Sequence, residues 1–155
     1  SFSAQRWACV PAQAWMDAAD EAMDREFDGA YEIWGGDIDP KAVAIARDNA
    51  VKAGVEDLIR FEVADARAFR REAPYGRVVT NPPYGERIME KREAEELYRA
   101  FGKAYRGLPP GWSLALLSSH TEFERTFGRT ADKKRKLYNG MIKCDLFLYH
   151  KRERG

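Results

Sequence analysis

Residues 31–54 read YEIWGGDIDPKAVAIARDNAVKAG, which predicts one strand followed directly by one helix. Tyr31–Trp34 is a β-prone run, and Gly35-Gly36 closes it. The Asp39-Pro40 pair suits the N-cap and the first turn of a helix. Apolar residues then recur at helical spacing, so we predict this helix over residues 40–52. A strand that leads straight into a capped helix is typical of α/β proteins.

The same alternation continues along the chain. Asn139-Gly140 lies between two β-prone runs, which predicts a C-terminal hairpin with one antiparallel strand. The pattern therefore predicts an α/β fold with a mostly parallel sheet, in which ligands bind at the carboxyl ends of the strands. The further predicted elements are a helix over 11–27, strands over 58–63, 77–80 and 112–117, a helix whose apolar stripe runs from 94 to 105, and hairpin strands over 136–138 and 141–149.

The composition excludes several classes of protein. The 155 residues are 45% hydrophobic and 33% charged, as in a water-soluble globular domain. No apolar run approaches the ~20 residues of a membrane span. Two cysteines cannot form a disulfide framework, and two histidines argue against a zinc site, so we expect no metal and a cytoplasmic location.

The strongest chemical signal is Asn81-Pro82-Pro83-Tyr84, which follows the predicted strand 77–80. Two consecutive prolines make this turn rigid. It therefore presents the Asn81 side-chain carbonyl and the Pro82 backbone carbonyl as fixed acceptors. Two acceptors suit an exocyclic amine, and the Tyr84 ring can stack on the planar group that carries the amine.

Two other predicted strands end in acidic residues. Asp37 follows the first of these strands and can accept hydrogen bonds from ribose hydroxyls, and Ile38 beside it can cover an adenine face. Asp37 can equally be a turn residue. Asp39 is better explained as the N-cap of the next helix. Asp65 follows another strand and can accept from an adenine amino group while the Ala66 N–H donates to a ring nitrogen, although aspartate after a strand is usually a turn former.

Positive charge is concentrated near the C-terminus. Ten Lys or Arg residues and five acidic residues lie between His120 and Gly155, a net charge of +5, whereas the whole chain carries +1. The run Lys133, Lys134, Arg135 and Lys136 suits contact with nucleic-acid phosphate, and a solvated charged surface explains it equally well on charge alone.

Four segments, GGDIDPKAVAIARDNA, FEVADA, TNPPYGERI and KLYNGMIKCDLFLYH, resemble class I S-adenosylmethionine-dependent methyltransferases that act on amino groups. More narrowly, the chain is similar to the THUMP-associated ribosomal RNA guanine-N2 methyltransferases, often labelled N6-adenine-specific DNA methylases. The C-terminal segment and Gly85-Glu86-Arg87 favour this branch. The resemblance covers nearly the whole chain.

The resemblance implies a role for most of the candidate residues. Asp37 and Ile38 would bind the ribose and adenine of S-adenosylmethionine, and Asp65 with Ala66 would contact its adenine. The residues implied for the target amine are Asn81, Pro82 and Tyr84. Apart from the resemblance, the residues that we expect to contact the rest of the nucleic-acid substrate are Pro83 and the basic run Lys133, Lys134, Arg135 and Lys136. The implied partner is nucleic acid, in the first place ribosomal RNA.

One departure from the family pattern affects the fold. The family carries a glycine-rich loop after its first strand, and no Gly-x-Gly follows a predicted strand here. We therefore expect residues 1–155 to be the C-terminal part of a single methyltransferase catalytic domain, without its first strand and inactive alone. The family orders its strands 3-2-1-4-5-7-6, and here strand 2 is Tyr31–Trp34 and strand 4 is Arg77–Thr80. We expect these two strands either to pair directly or to be bridged by a second copy of the chain. The third alternative is a strand 1 that is present but lies outside residues 1–155.

Several alternatives remain open at the level of sequence. A DNA adenine-N6 methyltransferase and a tRNA guanine-N2 methyltransferase would use the same turn. A protein-glutamine methyltransferase shares it too, but gains no support from the basic segment. A non-catalytic RNA-binding module would bind RNA regardless of Asn81. A nicotinamide dehydrogenase would require Gly-x-Gly-x-x-Gly, which is absent from the sequence.

Overall fold

The computed structural model describes residues 3–26, 29, 31–84 and 91–151 of this chain. The chain divides into two compact units, Ser1–Ile33 and Trp34–Gly155. The first contains a short 3-10 turn and the helix α1, Ala12–Asp24. The helix that the sequence predicts over 11–27 is therefore confirmed, with an end at Asp24.

The remaining elements alternate as predicted. Helix α2 begins directly after the N-cap Asp39, whose side chain accepts from the Lys41 backbone N–H at 2.8 Å. Among the α-helices and strands of the described residues, only the one-turn helix α4 has no counterpart in the sequence-based prediction. The elements are β1 Ile33–Asp37, α2 Pro40–Ala53, β2 Ile59–Val63, β3 Tyr75–Thr80, α3 Lys91–Arg106, β4 Gly111–Ser118, α4 Phe123–Phe127, β5 Lys133–Asn139 and β6 Ile142–Tyr149.

The strands form a two-stranded sheet, β1-β2, and a four-stranded sheet in the order β3-β4-β6-β5. Strands β3 and β4 are parallel, and β6 is antiparallel to both β4 and β5. The hairpin itself is confirmed, with Gly140 at φ +62° in its turn, but the predicted turn Asn139-Gly140 is wrong by one residue. Asn139 pairs with Ile142 as the last residue of β5, so the turn is Gly140-Met141. Because two antiparallel pairings restore the original direction, β5 runs parallel to β3, and Asn139 at the carboxyl end of β5 lies at the same end of the sheet as the carboxyl end of β3.

The prediction that the strands now identified as β1 and β3 pair directly is wrong within the described part of the chain. They belong to separate sheets, although each sheet has the predicted internal order. Each is fixed by its own packing, with α2 against β2 and the core of α3 against β4. Arg71 bonds Glu62 of β2 at 2.6 Å and stacks on both Trp34 and Phe69.

The prediction that Gly35-Gly36 closes the first strand is also wrong, because both glycines lie inside β1. A Cβ atom on Gly35 would come within 2.8 Å of the Phe61 ring on β2. The glycine is needed for this close approach and does not mark a turn. As a result, the strand continues to Asp37, which becomes its last residue.

The main hydrophobic core lies between α3, α4 and the four-stranded sheet. The apolar stripe predicted on α3 is buried there, and Cys144 of β6 is buried as the strand alternation predicts. Within the described residues, no helix is both long and apolar enough to cross a membrane. The core cluster comprises Ala94, Tyr98, Phe101, Tyr105, Leu108, Leu114, Leu116, Phe123, Phe127, Phe147 and Tyr149.

Candidate active site

The turn after β3 carries a hydrogen-bonded pair of the predicted site residues. The Tyr84 hydroxyl donates to the Asn81 side-chain oxygen Oδ1, and Asn139 Nδ2 donates to the Tyr84 hydroxyl at 3.4 Å. Asn81 is exposed, whereas Pro82, Pro83 and Tyr84 are half-buried. The structure thus brings Asn81 and Tyr84 together. The Gly85-Glu86-Arg87 extension lies outside the described residues.

A buried tyrosine anchors this turn from the side of the hydrophobic core. The Tyr98 hydroxyl, on α3, donates to the Pro83 carbonyl oxygen at 2.7 Å, and Ser118 Oγ of β4 lies 3.3 Å from it. The hydroxyl proton of Tyr98 is donated to the Pro83 carbonyl, so the Ser118 hydroxyl donates to the Tyr98 oxygen. Ser118 Oγ also accepts from the His120 backbone N–H at 3.1 Å. Burial raises the pKa of the Tyr98 hydroxyl, which keeps it a protonated donor.

His120 is buried and has partners on both ring nitrogens. Its Nδ1 accepts from the Glu122 backbone N–H at 3.1 Å, so Nε2 carries the proton and faces Glu95 Oε1 at 3.2 Å. This arrangement fixes the loop after β4 and explains the histidine structurally. No cluster of three or more metal-ligating side chains occurs in the part of the chain that the structure describes.

The ends of β1 and β2 are joined by a backbone hydrogen bond, from Ala64 N–H to the Asp37 carbonyl oxygen at 2.9 Å. Asp37 is exposed, and its carboxylate accepts from the Asp39 backbone N–H at 2.8 Å. A carboxylate has about four acceptor positions, so Asp37 retains capacity for hydroxyl donors. Ile38 beside it is 61% exposed, which leaves an apolar surface next to the carboxylate.

Asp65, at the end of β2, is engaged by its own neighbour. Its carboxylate accepts from the backbone and the side chain of Arg67, with an ion-pair distance of 2.6 Å. The side-chain hydrogen bond from Arg67 is the main cause that lowers the pKa of Asp65. Since this pair is near the surface, it can open for a ligand at small cost. Ala66 follows as the first residue of a 3-10 turn, Ala66–Ala68.

The basic run forms the first part of β5, an outer strand of the four-stranded sheet, and all of its residues are exposed. The run is not uniform. Lys134 Nζ lies 2.6 Å from Glu124 Oε2, and the pKa of Lys134 is raised by this hydrogen bond. Strand alternation places Lys133 and Arg135 on one face and Lys136 with Lys134 on the other.

Sequence reasoning missed Tyr98, Ser118 and Asn139. Tyr98 sits in a largely apolar stripe, where a buried hydroxyl requires a hydrogen-bond partner, and that was a usable signal. Asn139 was interpreted only as a turn residue, because Asn-Gly is the favoured hairpin sequence. Its place beside Tyr84 follows from the direction of β5, which the local sequence does not specify.

Comparison with known proteins agrees with this fold. The RMKL-like methyltransferase domain family matches residues 3–147, and the chain belongs to this family. It is 39% identical over 149 residues to the "Putative RNA methyltransferase YpsC" of Bacillus subtilis, covering 96% of this chain and 38% of YpsC. It is 36% identical over 152 residues to the ribosomal RNA large subunit methyltransferase K/L of Shewanella baltica, covering 96% of this chain and 21% of that protein.

A solved structure extends the comparison to three dimensions. The "Crystal structure of SMU.472, a putative methyltransferase complexed with SAH" superposes with a TM-score of 0.86 and 35% sequence identity. The superposition covers all of this chain and 41% of that one. The class I methyltransferase fold predicted from the sequence is therefore confirmed, and the chain spans well under half the length of these three relatives.

Proposed function

We propose that this protein is an S-adenosylmethionine-dependent methyltransferase that acts on an exocyclic amino group of a nucleic-acid base, most specifically guanine N2 of ribosomal RNA. The observation that carries this proposal is the rigid turn at the end of β3, where Asn81 and Pro82 offer adjacent acceptors and Tyr98 fixes Pro83 from behind. The names of the two RNA methyltransferase relatives support the choice of RNA.

The turn provides the acceptors that an amine needs. Asn81 Oδ1 has two lone pairs, of which one accepts from Tyr84 and one remains for an amine hydrogen. The Pro82 carbonyl takes the second hydrogen, so the nitrogen lone pair is aimed away from the turn. Both acceptors also stabilise the positive charge that develops on the nitrogen as it attacks. The half-buried Tyr84 ring supplies a stacking surface for the base.

The ends of β1 and β2 fit the methyl donor. S-adenosylmethionine carries its methyl group on a sulfonium, which makes the methyl carbon electrophilic. The exposed Asp37 carboxylate has acceptor capacity for the ribose hydroxyls, and the exposed Ile38 covers one adenine face. Asp65 and Ala66 would meet the adenine edge, with Arg67 released from the Asp65 carboxylate. The SAH complex of a structural neighbour supports this donor.

The basic strand would hold the nucleic-acid backbone. Lys133, Arg135 and Lys136 are exposed on β5, whose carboxyl end lies at the same end of the sheet as Asn81. An enzyme that modifies a base must hold the phosphates while the base is splayed into the pocket, and this needs cations near the pocket mouth. We expect the protein to be cytoplasmic, and ribosomal RNA is present in the cytoplasm.

The test uses the complete gene product with radiolabelled S-adenosylmethionine. The substrates are ribosomal RNA from a strain that lacks the gene, bulk tRNA and an adenine-containing DNA duplex. Mass spectrometry of the resulting nucleosides should show N2-methylguanosine from ribosomal RNA, and the Asn81→Ala protein should produce almost none. Methyl transfer to the DNA duplex alone would overturn the choice of RNA. RNA binding without transfer, and unaffected by Asn81→Ala, would identify a binding module instead.

A further inference from the structure

The C-terminal hairpin contributes a side chain to the amine site. Strand β5 runs parallel to β3 but lies three strand positions away, about 14 Å at ~4.8 Å per step. The turn after β3 bridges this span, because Asn139 at the end of β5 reaches the Tyr84 hydroxyl. The contact joins residues 55 positions apart in sequence.

The three side chains form a directional relay. Asn139 Nδ2 can only donate, so the Tyr84 oxygen accepts from it and the Tyr84 proton points to Asn81 Oδ1. That proton in turn fixes the Asn81 amide with its oxygen toward the site. Were the Tyr84 proton to point elsewhere, the Asn81 amide could rotate by 180° and present an NH₂ group. A second donor facing the substrate amine would repel it.

We propose that Asn139 is a positioning residue for amine methylation: by donating to the Tyr84 hydroxyl, it sets the orientation of the Asn81 amide that receives the target amine. The inference rests on the proposed function of the Asn81 turn. Burial raises the pKa of Tyr84, which keeps its hydroxyl protonated at neutral pH and able to serve as the middle of the relay.

Asn139→Asp tests the relay with almost no change of shape. The carboxylate cannot donate, so it attracts the Tyr84 proton and reverses the relay. The hairpin should survive, because Asn139 is the last residue of β5 and the positive-φ turn residue, Gly140, is unchanged. We expect kcat to fall on the order of tenfold, equivalent to one hydrogen bond, with the KM for RNA little changed. Met141→Asp is the charge-matched control, since Met141 is 98% exposed at the hairpin tip, and it should keep the wild-type kcat.

A double-mutant cycle with Tyr84→Phe separates this role from a general structural one. If Asn139 acts through the Tyr84 hydroxyl, Asn139→Asp has little further effect in the Tyr84→Phe background. Additive losses, or a wild-type kcat in Asn139→Asp, would overturn the inference.

A readout without activity keeps the inference separate from the proposed function. The ¹³Cζ resonance of Tyr84, assigned by its loss in Tyr84→Phe, reports the hydrogen bonding of the hydroxyl. It should shift in Asn139→Asp and not in Met141→Asp. An unchanged resonance contradicts the relay, whereas wild-type protein that transfers no methyl group to any nucleic acid contradicts the proposed function alone.

Discussion

The Tyr98 hydroxyl donates a hydrogen bond to the Pro83 carbonyl oxygen at 2.7 Å, which ties the buried face of α3 to the turn that carries the candidate amine acceptors. Tyr98 is fully buried, so this bond is shielded from water. Pro83 therefore acts in the structure as the anchored residue of the turn. The carbonyl of its neighbour Pro82 is left as the acceptor proposed for the substrate.

Replacing Tyr98 by Phe should lower both stability and turnover. The change leaves the Pro83 carbonyl without its donor and should cost about 1–3 kcal/mol in the free energy of unfolding. Turnover should fall as the turn loosens. Tyr105→Phe is the matched control, since Tyr105 is equally buried on α3 but donates to the Trp112 carbonyl, away from the turn. Denaturant unfolding and methylation assays on both variants check this; equal loss of turnover in the two would refute a specific role for Tyr98.

Replacing Asn81 by Ala should affect chemistry more than donor binding. The variant lacks one preorganised acceptor for the amine, and kcat should fall by about 10²-fold or more. The affinity for S-adenosylmethionine should hardly change, because the donor is assigned to the ends of β1 and β2. Steady-state kinetics and calorimetry on the complete gene product measure both quantities. Near-normal turnover would contradict the proposal that this turn binds the target amine.

Asp37 and Asp39 should separate donor binding from stability. Asp37→Ala should weaken binding of S-adenosylmethionine by about 1–3 kcal/mol, because ribose hydroxyls lose their acceptor. Asp39→Ala should instead cost about 1 kcal/mol of stability, because the Lys41 N–H loses its N-cap partner. Titration calorimetry and thermal unfolding of the two variants give the answer. The opposite pattern would mean that the two roles are exchanged.

Neutralising Lys133, Arg135 and Lys136 together should weaken RNA binding and reduce its salt dependence. Each lost phosphate contact on single-stranded RNA reduces the slope of log K against log salt by about 0.7, so the three should reduce it by about 2. Lys134→Gln is the control, because Lys134 bonds Glu124 and should change the slope less. Fluorescence anisotropy at several salt concentrations measures the slopes. An unchanged slope in the triple variant would mean that the basic run is a solvated charged surface and does not contact phosphate.

Glu124 should make folding stability depend on pH in the acid range. Burial alone would raise the pKa of this carboxyl, but Lys134 and the Ala131 N–H lower it below its ordinary value. A lowered folded pKa means that the added stability is complete above the ordinary carboxyl pKa and is lost as pH falls through the folded value. Wild type should therefore exceed Glu124→Gln in stability at neutral pH. This difference should shrink on acidification in urea unfolding; a constant difference would argue against the ion pair.

The order and type of nearly all elements could be read from local patterns. The Asp39 cap, the stripe on α3 and the C-terminal hairpin each depend on residues close to one another in sequence, and all three are confirmed, although the hairpin turn lies one residue later than predicted. Short-range signals of this kind fix helices and hairpins because capping and amphipathic spacing act along a few residues. The same patterns located the Asn81 turn at a strand end.

Contacts between distant segments could not be read in this way. The bonds of Tyr98 to Pro83, of Asn139 to Tyr84 and of Lys134 to Glu124 join residues 15, 55 and 10 positions apart. They depend on strand order, on strand direction and on which face of a strand meets which helix. The separation of the two sheets likewise depends on packing of each against its own helix. Local sequence specifies how a segment folds, whereas these contacts are fixed by the shape of the assembled core, because close packing admits few arrangements of its elements.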